Sequence, residues 1–327
     1  MTQFTALFQA SIVFGTVILF GAVGEILTEK GGNLNLGVPG IMFMGGIASL
    51  IGTFYYESST PNPSPILCVL ISFSCAVIAS MLSGLLFSFM TITLRCNQNI
   101  MGLAFNIFAG GFANFYGGSL NKLAGGVGQI NVLHTSKAFR AQIPALANIP
   151  VIGGLFFSYG FLAYLAIILA FVLNWFLNKT SRGLNLRAVG ENPATADAAG
   201  INVTKYKYLA TCIGAGISGL GGLYYVMDYV KGTWDAAGAI EGLGWLAVAL
   251  VIFSSWKAPR AIWGSYLFGM LSWAYFYIRG LTRSSQELFK MLPYAVTILV
   301  LLFVAIQHRA DNQPPKSLGL PYFREER

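Results

Sequence analysis

The first residues that stand out chemically are acidic side chains within apolar stretches. Glu25 and Asp228 lie near the ends of long apolar runs, and Glu241 lies just before another. A carboxylate surrounded by hydrocarbon is costly, and a retained one commonly relays protons or binds a coupling cation. Solvation at a helix end, or pairing with a local partner, is the other interpretation. The positions near run ends favour this second interpretation.

Asparagines form a second group with useful chemistry, because their neutral amides both donate and accept hydrogen bonds. Two of them lie in a Gly- and Pro-rich interruption, and three lie in one apolar run, where Asn99 and Asn106 are seven residues apart and share a helix face. Such amides suit a neutral polar solute, and they equally suit a neighbouring helix. The candidates for lining a substrate path are Asn33, Asn35, Asn99, Asn106 and Asn114.

Motifs of common enzymes are missing from the sequence. There is no G-x-x-x-x-G-K-[ST] loop for ATP, no HExxH zinc motif and no G-x-S-x-G elbow. His134 and His308 are far apart, and the four cysteines form no CxxC spacing. The net charge of +8 accompanies no basic stretch interleaved with aromatic residues. We therefore expect no metal or cofactor in this chain, no catalytic residues and no nucleic-acid partner.

Composition identifies the class of protein. The 327 residues are 55% hydrophobic and only 10% charged, with a mean hydropathy of +0.65, whereas soluble domains average about 25% charged residues. Several apolar runs approach the ~20 residues needed to cross ~30 Å of hydrocarbon. The ~10-residue alternating segments of a membrane β-barrel do not occur. The sequence predicts an all-α polytopic membrane protein.

Nine membrane spans are predicted, and the short seventh one is typical of a broken or re-entrant helix. An odd number places the termini on opposite sides of the membrane. With the C-terminus in the cytoplasm, thirteen Lys and Arg lie inside and seven outside, which favours an outside N-terminus. The predicted spans are 8–27, 38–56, 65–93, 99–118, 157–178, 208–229, 242–255, 261–279 and 288–307.

A polar segment at 181–207 separates two of these spans. Asn192 is a good N-cap, Pro193 suits the first helical position, and Gly200 suits the residue after the helix end. The predicted helix, 193–199, has about two turns, and isolated helices shorter than ~12 residues are marginal in water. It therefore either docks on a partner surface or is an ordinary capped connector.

Glycine and proline interrupt a second stretch, "GEILTEKGGNLNLGVPGIMFMGG" at 24–46. Broken helices often line a substrate path, because their free backbone groups need water or ligand; a simple cytoplasmic turn is the alternative. A long external connection, 119–156, contains Pro144 and Pro150, which limit helix there. It is either a functional loop or a variable surface loop.

Three stretches together carry a resemblance to a known family: the one at 24–46, "GLNLRAVGENPATADAAGINV", and the tail "PPKSLGLPYFREER". The chain resembles permease subunits of bacterial ABC importers, in the branch with ribose-type sugar, branched-chain amino acid and nucleoside permeases. It is most similar to nucleoside permeases served by lipoprotein receptors of the basic membrane protein type. The resemblance implies one permease domain, 1–327, with a cytoplasmic coupling-helix loop at 181–207 and a cytoplasmic tail at 308–327.

The resemblance also implies which residues meet the ATPase. The family's loose E-A-A-x-x-x-G pattern falls on Ala194, Thr195, Ala196 and Gly200, so Ala194 replaces the usual Glu, and Asp197 or Glu191 is the expected source of the lost charge. Pro39 is a second departure, where relatives often have Glu. The expected coupling residues are Arg187, Gly190, Glu191, Asn192, Pro193, Ala194, Ala196, Asp197 and Gly200.

The partners implied by the resemblance are ABC ATPase subunits that hold ATP and Mg, a second related permease in a heterodimer, and an extracytoplasmic solute-binding lipoprotein. The chain would lie in a bacterial cell membrane as a multi-pass protein among membrane lipids and form the path for a small neutral solute. Nucleosides are the expected substrate, followed by riboflavin or a simple sugar. The alternatives are an ion-coupled secondary transporter that depends on Glu25 or Asp228, and a membrane enzyme, against which the missing catalytic cluster argues.

Overall fold

The computed structural model describes residues 3–123, 130–141, 152–234, 238–278, 282–307 and 313–324. In this part of the chain the regular elements are helices, and a single β-bridge joins Asn131 to Thr233. The apolar runs thus fold as predicted, because a helix satisfies its own backbone hydrogen bonds within one segment. The all-α class is confirmed for these residues.

The helices follow in chain order. The first half contains α1 (Gln3–Lys30), α2 (Val38–Ser59), α3 (Pro65–Ser88), which continues as a π-helical turn (Phe89–Thr93), α4 (Gln98–Leu123), α5 (Leu133–Phe139), α6 (Ile152–Phe156) and α7 (Phe161–Lys179). The second half contains α8 (Ser181–Glu191), α9 (Pro193–Ala198), α10 (Val203–Tyr224) with a second π-helical turn (Tyr225–Tyr229), α11 (Gly238–Phe253), α12 (Ala258–Tyr277), α13 (Arg283–Lys290) and α14 (Leu292–Gln307).

The centre of the bundle is formed by α1, α2 and α10. Helix α1 packs along α10 and α12, while α2 and α10 both pack against α3. Helix α4 packs mainly on α2, α7 lies against α1 and α12, and α14 lies on α11. The most buried residues accordingly come from α1, α2 and α10, including Phe20, Met42 and Tyr224.

Glycines set the distance between α2 and α10. A Cβ on Gly222 would lie 2.8 Å from the carbonyl carbon of Met42 and 2.9 Å from the Gly46 nitrogen. A Cβ on Gly45 would lie 2.7 Å from the Cα of Gly219. The backbones therefore meet directly, as small residues at a helix interface allow. Gly216, on the same helix α10, instead faces Met81 of α3.

Membrane spanning is supported for part of the predicted set. Five helical segments are long and apolar enough to cross a bilayer, and a pair bent by 41°, Ser284–Lys290 with Leu292–Leu302, makes six if it is one span. Among the described residues, a helix lies at each of the nine predicted positions. However, α11 has only 16 residues, which is short for a membrane span, and α4 carries several amides and glycines, which make it less apolar. The count of nine and the orientation of the termini stay predictions. The five segments are Phe4–Lys30, Val38–Ser59, Pro65–Thr93, Phe161–Lys179 and Val203–Tyr229.

Two connections contain more helix than the sequence predicts. In the segment 181–207, residues 181–191 form α8 ahead of the predicted helix, capped by the Thr180 hydroxyl oxygen accepting from the Gly183 N–H, and α10 already begins at Val203. The connection 119–156 is partly folded into the bundle. Within it, α5 is tied down where Glu57 accepts hydrogen bonds from Thr135 and the Ser136 hydroxyl donates to the Met227 carbonyl. Pro144 and Pro150 lie outside the described residues.

The contact between α2 and α10 yields a stability prediction. Gly222→Ala should lower the free energy of unfolding by about 1–3 kcal/mol, because the added methyl group overpacks a backbone contact that cannot yield. Thermal unfolding in detergent, followed by tryptophan fluorescence, measures this. Gly242→Ala is the matched control, since a Cβ at Gly242 meets nothing within 4 Å. An unchanged melting temperature for Gly222→Ala would contradict the packing.

Candidate functional site

The interruption between α1 and α2, residues 31–37, is closed by side chains, and we name it the polar break. The Leu34 N–H donates to Gln98 Oε1 at 2.6 Å, and the Gly37 N–H donates to Asn35 Oδ1 at 3.0 Å. Asn35 in turn donates from its backbone N–H to Glu25 Oε1 (3.1 Å) and from Nδ2 to Glu25 Oε2 (3.2 Å). Each partner replaces a helical hydrogen bond that the interruption removes.

Asn106 of α4 pairs further backbone groups next to the polar break. Its Oδ1 accepts from the Gly40 N–H at 2.7 Å, and its Nδ2 donates to the Leu36 carbonyl at 2.7 Å. One buried amide thus caps the start of α2 and pairs the chain that leads into it. Asn106 holds the polar break together; its hydrogen bonds go to this chain's own backbone.

The five candidate asparagines fall into different surroundings. Asn33 is fully buried, and its Nδ2 donates to Thr211 Oγ1 at 3.1 Å and to Thr91 Oγ1 at 3.4 Å, while its Oδ1 has no partner. Asn99 and Asn114 are exposed on α4. Asn99 lies in the first turn of α4 next to the buried Gln98, but its own side faces outward, so it does not share the burial of Asn106. The structure brings Asn33, Asn35 and Asn106 to the polar break and leaves the other two on an outer face.

The acidic residues also find distinct roles. Glu25 is buried and paired with Asn35, which fits a local partner rather than helix-end solvation. Glu29, one turn later, is buried as well and accepts a hydrogen bond from Trp256 Nε1. No pattern in the sequence pointed to Glu29 or Trp256, which are 227 residues apart. Asp228 lies apart in the second π-helical turn, where its Oδ2 has no hydrogen bond within the described residues.

The polar segment after α7 folds with the predicted cap. Asn192 Oδ1 accepts from the Thr195 N–H at 3.0 Å, α9 begins at Pro193, and Gly200 takes a left-handed φ of +84°. Ala196 points inward and packs with Val189 and Val203. Thr195, Ala198 and Ala199 remain exposed. Helix α9 therefore docks on its own chain by one side and presents the other side outward.

Gly190 joins this segment to the polar break. A Cβ on Gly190 would contact the Lys30 carbonyl oxygen and would lie 3.1 Å from its carbon and 3.3 Å from the Gly32 nitrogen. Gly32 itself has a left-handed φ of +79°, so the chain turns at the point where α8 touches it. No larger residue fits this approach without separating α8 from α1.

The tail lies across α8 and α9. The Ser317 N–H and hydroxyl both donate to the Gly190 carbonyl, at 3.0 and 2.6 Å. The Tyr322 hydroxyl donates to Asp197 Oδ2 at 2.9 Å, and the Arg324 guanidinium is 3.3 Å from the same oxygen. Asp197 thus already has partners in its own chain, which argues against its supplying a charge to another subunit. These roles of the tail could not be predicted from the sequence, because a pairing over 125 residues leaves no local pattern.

Basic residues gather at the end of the bundle that carries α8, α9 and the tail; we name it the basic end. A cavity of about 440 Å³ lies here beside α8, with Glu191 as its acidic residue. Glu191 is exposed, and its Oε2 accepts from the Lys316 N–H at 3.4 Å. Arg187 donates to Asn178 Oδ1 at 3.2 Å. The basic residues of this cavity are Lys30, Arg187, Lys257 and Arg260.

Residues 7–301 match the family described as the permease component of the branched-chain amino acid transport system. The chain belongs to this family. It is a permease subunit of an ABC transporter, a transport component and not an enzyme.

Curated relatives cover nearly the whole chain. The guanosine ABC transporter permease protein NupQ of Bacillus subtilis is 32% identical over 97% of this chain and 96% of its own length. The nucleoside ABC transporter permease protein NupC of Lactococcus lactis is 32% identical, covering 92% and 93%. A candidate glucose ABC transporter permease protein of Haloferax volcanii, TsgC13, is 29% identical over 99% of both chains. No solved structure matches the chain.

The polar break yields a second stability prediction. Asn106→Leu should lower the free energy of unfolding by about 2 kcal/mol or more, because it leaves the Gly40 N–H and the Leu36 carbonyl buried without partners. Thermal unfolding in detergent is the measurement. Asn114→Leu, two turns along the same helix at an exposed position, should change little. Equal effects of the two substitutions would show that Asn106 does not hold the break.

Proposed function

We propose that this chain forms the membrane path of an ATP-driven importer of nucleosides. The observation that carries the proposal is the 32% identity to NupQ over 97% of the chain, since that relative is named as a guanosine permease. NupC, named as a nucleoside permease, supports the same substrate class. Glucose is the second candidate, on the name of TsgC13, and riboflavin follows from the earlier resemblance alone.

The proposed contact with the ATPase is the outward side of α9. Short docked helices transmit movement only where one face is held and the other is free for a partner, and α9 has both. The exposed carboxylate of Glu191 and the exposed residues Thr195 and Ala198 are available there. In this proposal ATP and Mg belong to the partner, and the chain itself needs no cofactor. The basic end then faces the cytoplasm, in line with the positive-inside rule.

The outer face of α4 is the proposed border of the substrate path. Asn99 and Asn114 are exposed on α4, as are Phe108 and Phe115, and a Cβ at Gly111 would meet nothing within 4 Å. Amides facing lipid tails would leave polar groups unpaired. A second, related permease covering this face would enclose the amides and aromatic rings between two subunits. A solute-binding lipoprotein would deliver the solute at the end opposite α9.

Reconstitution tests the proposed function directly. The complete importer, with its ATPase, second permease and lipoprotein in proteoliposomes, should take up radiolabelled guanosine only when ATP is supplied on the ATPase side. Labelled glucose and riboflavin, tested in parallel, should not accumulate. Uptake of glucose without uptake of guanosine would show that the substrate is a sugar and not a nucleoside. Guanosine uptake driven by an ion gradient without ATP, and lost in Glu25→Gln, would favour a secondary transporter instead.

The cap after α9 yields a prediction on coupling. Gly200→Val should cost about 1–2 kcal/mol locally, because a β-branched residue is strained at a φ of +84°. With α9 misplaced, ATP hydrolysis should continue while substrate uptake falls, and membrane insertion should be normal. Both rates are measured in the same proteoliposomes. Gly200→Asn is the matched control, since asparagine tolerates the left-handed conformation. Wild-type uptake in Gly200→Val would contradict the coupling role of α9.

A further inference from the structure

A second cavity at the basic end, of about 710 Å³, lies beside the connection that follows α9. It opens between the polar break, the start of α4, the connection from α9 to α10, and the tail. Its volume falls in the range of about 300–1,000 Å³ that is typical of small-molecule sites. Its charged lining residues are Arg95, Lys205, Lys207, Arg324 and Asp197.

Among the residues that the structure describes, the charges lining this cavity are unbalanced. Asp197 is its acidic residue, and it already accepts from Tyr322 and lies 3.3 Å from Arg324. Arg95 lies over the Phe323 ring, 4.5 Å from its centroid. The cavity thus gathers several cations around one carboxylate that its own chain occupies. Its field attracts an anion.

Lys207 is the cationic residue of this cavity that most needs a counter-ion. Residue Lys207 is 3% exposed and lines the cavity, and no hydrogen bond or ion pair joins its ammonium to any described residue. Asn33, with its unpartnered Oδ1, lies on the same cavity wall. A buried ammonium without a counter-ion is costly, and proteins normally pair such a group. The cost is relieved when an anion enters the cavity.

We propose that this cavity binds the phosphate group of a phosphorylated small molecule, with Lys207 as its main cationic contact. A phosphate carries about −1.5 to −2 charges and three acceptor oxygens, which suits several converging lysine and arginine side chains better than a single carboxylate does. Lysine serves as a compact point charge for phosphate, and arginine donates in a fork. A neutral nucleoside offers the cavity no such group.

The location gives the site a consequence that rests on the proposed function. The cavity wall includes residues 200–205, which follow α9 directly, and residues 320–322 of the tail. A ligand held between them would fix α9 against the bundle. Addition of a phosphate group to an imported nucleoside would give a product with the group that this site takes. Binding of such a product would slow transport from the cytoplasmic side.

Direct binding tests the site independently of transport. The full-length chain, purified with its permease partner but without ATPase subunits, is titrated calorimetrically with inorganic phosphate, AMP and adenosine. Phosphate and AMP should bind saturably, and adenosine should not. Lys207→Met should weaken both by about tenfold or more, as loss of a charged hydrogen bond does. Lys207→Arg should retain binding, and the matched control Lys179→Met, exposed at the end of α7, should bind like the wild type.

The stability of the ligand-free variant is a second measurement. Lys207→Met should unfold at the same temperature as the wild type or higher, because it removes an unpaired buried charge. A clearly lower melting temperature would show that the ammonium already has a stabilising partner and would overturn the proposal. Equal AMP binding by Lys207→Met and wild type, or equal binding of adenosine and AMP, would overturn it as well.

Two further binding experiments distinguish the possible occupants of this cavity. Phosphatidylglycerol added to the detergent should not displace phosphate if the ligand is a soluble metabolite; displacement that depends on Lys207 would identify a lipid headgroup as the source of the same phosphate chemistry. Nucleotide-free ATPase subunits are then added. If they abolish phosphate binding, an acidic segment of the partner fills the cavity and the proposal fails. Failure of guanosine uptake would leave these binding results unaffected.

Discussion

The structure depends on one constraint: a helix interrupted inside a membrane bundle must find partners for its free backbone groups. Water is absent from the hydrocarbon, and each unpaired group costs several kcal/mol. Here the partners are side chains of the same chain. Gln98, Glu25, Asn35 and Asn106 accept hydrogen bonds from the N–H groups of Leu34, Asn35, Gly37 and Gly40, respectively. The interruption is thereby a defined joint between α1 and α2 and not an open gap.

That joint is also the place where the polar segment meets the membrane helices. Gly190 rests against the end of α1, and Ser317 of the tail binds the Gly190 carbonyl from the other side. A displacement of α8 and α9 therefore reaches α1 and α2 through backbone contacts, which are stiff. In the proposed importer, this contact would carry movement from the ATPase to the helices beside the substrate path.

Local signals in the sequence predicted the local parts of this architecture. The apolar runs indicated the helices, Asn192 and Pro193 indicated the start of α9, and Gly200 indicated its end. The interruption at 31–37 was visible from its glycines. What each asparagine does was not visible, because Asn106 and Asn114 have the same chemistry, and only packing on α2 separates a buried cap from an exposed amide. The tail contacts and the Glu29–Trp256 pair join residues more than a hundred positions apart, and periodicity carries no information about such pairs.

The link between the polar segment and the polar break is measured most directly by hydrogen–deuterium exchange. The complete importer is compared in the nucleotide-free state and trapped with ATP and vanadate. The account predicts that exchange changes in peptides covering residues 181–200 and, in the same transition, in peptides covering residues 31–40. A change confined to 181–200, with the break equally protected in both states, would contradict the transfer of movement through Gly190.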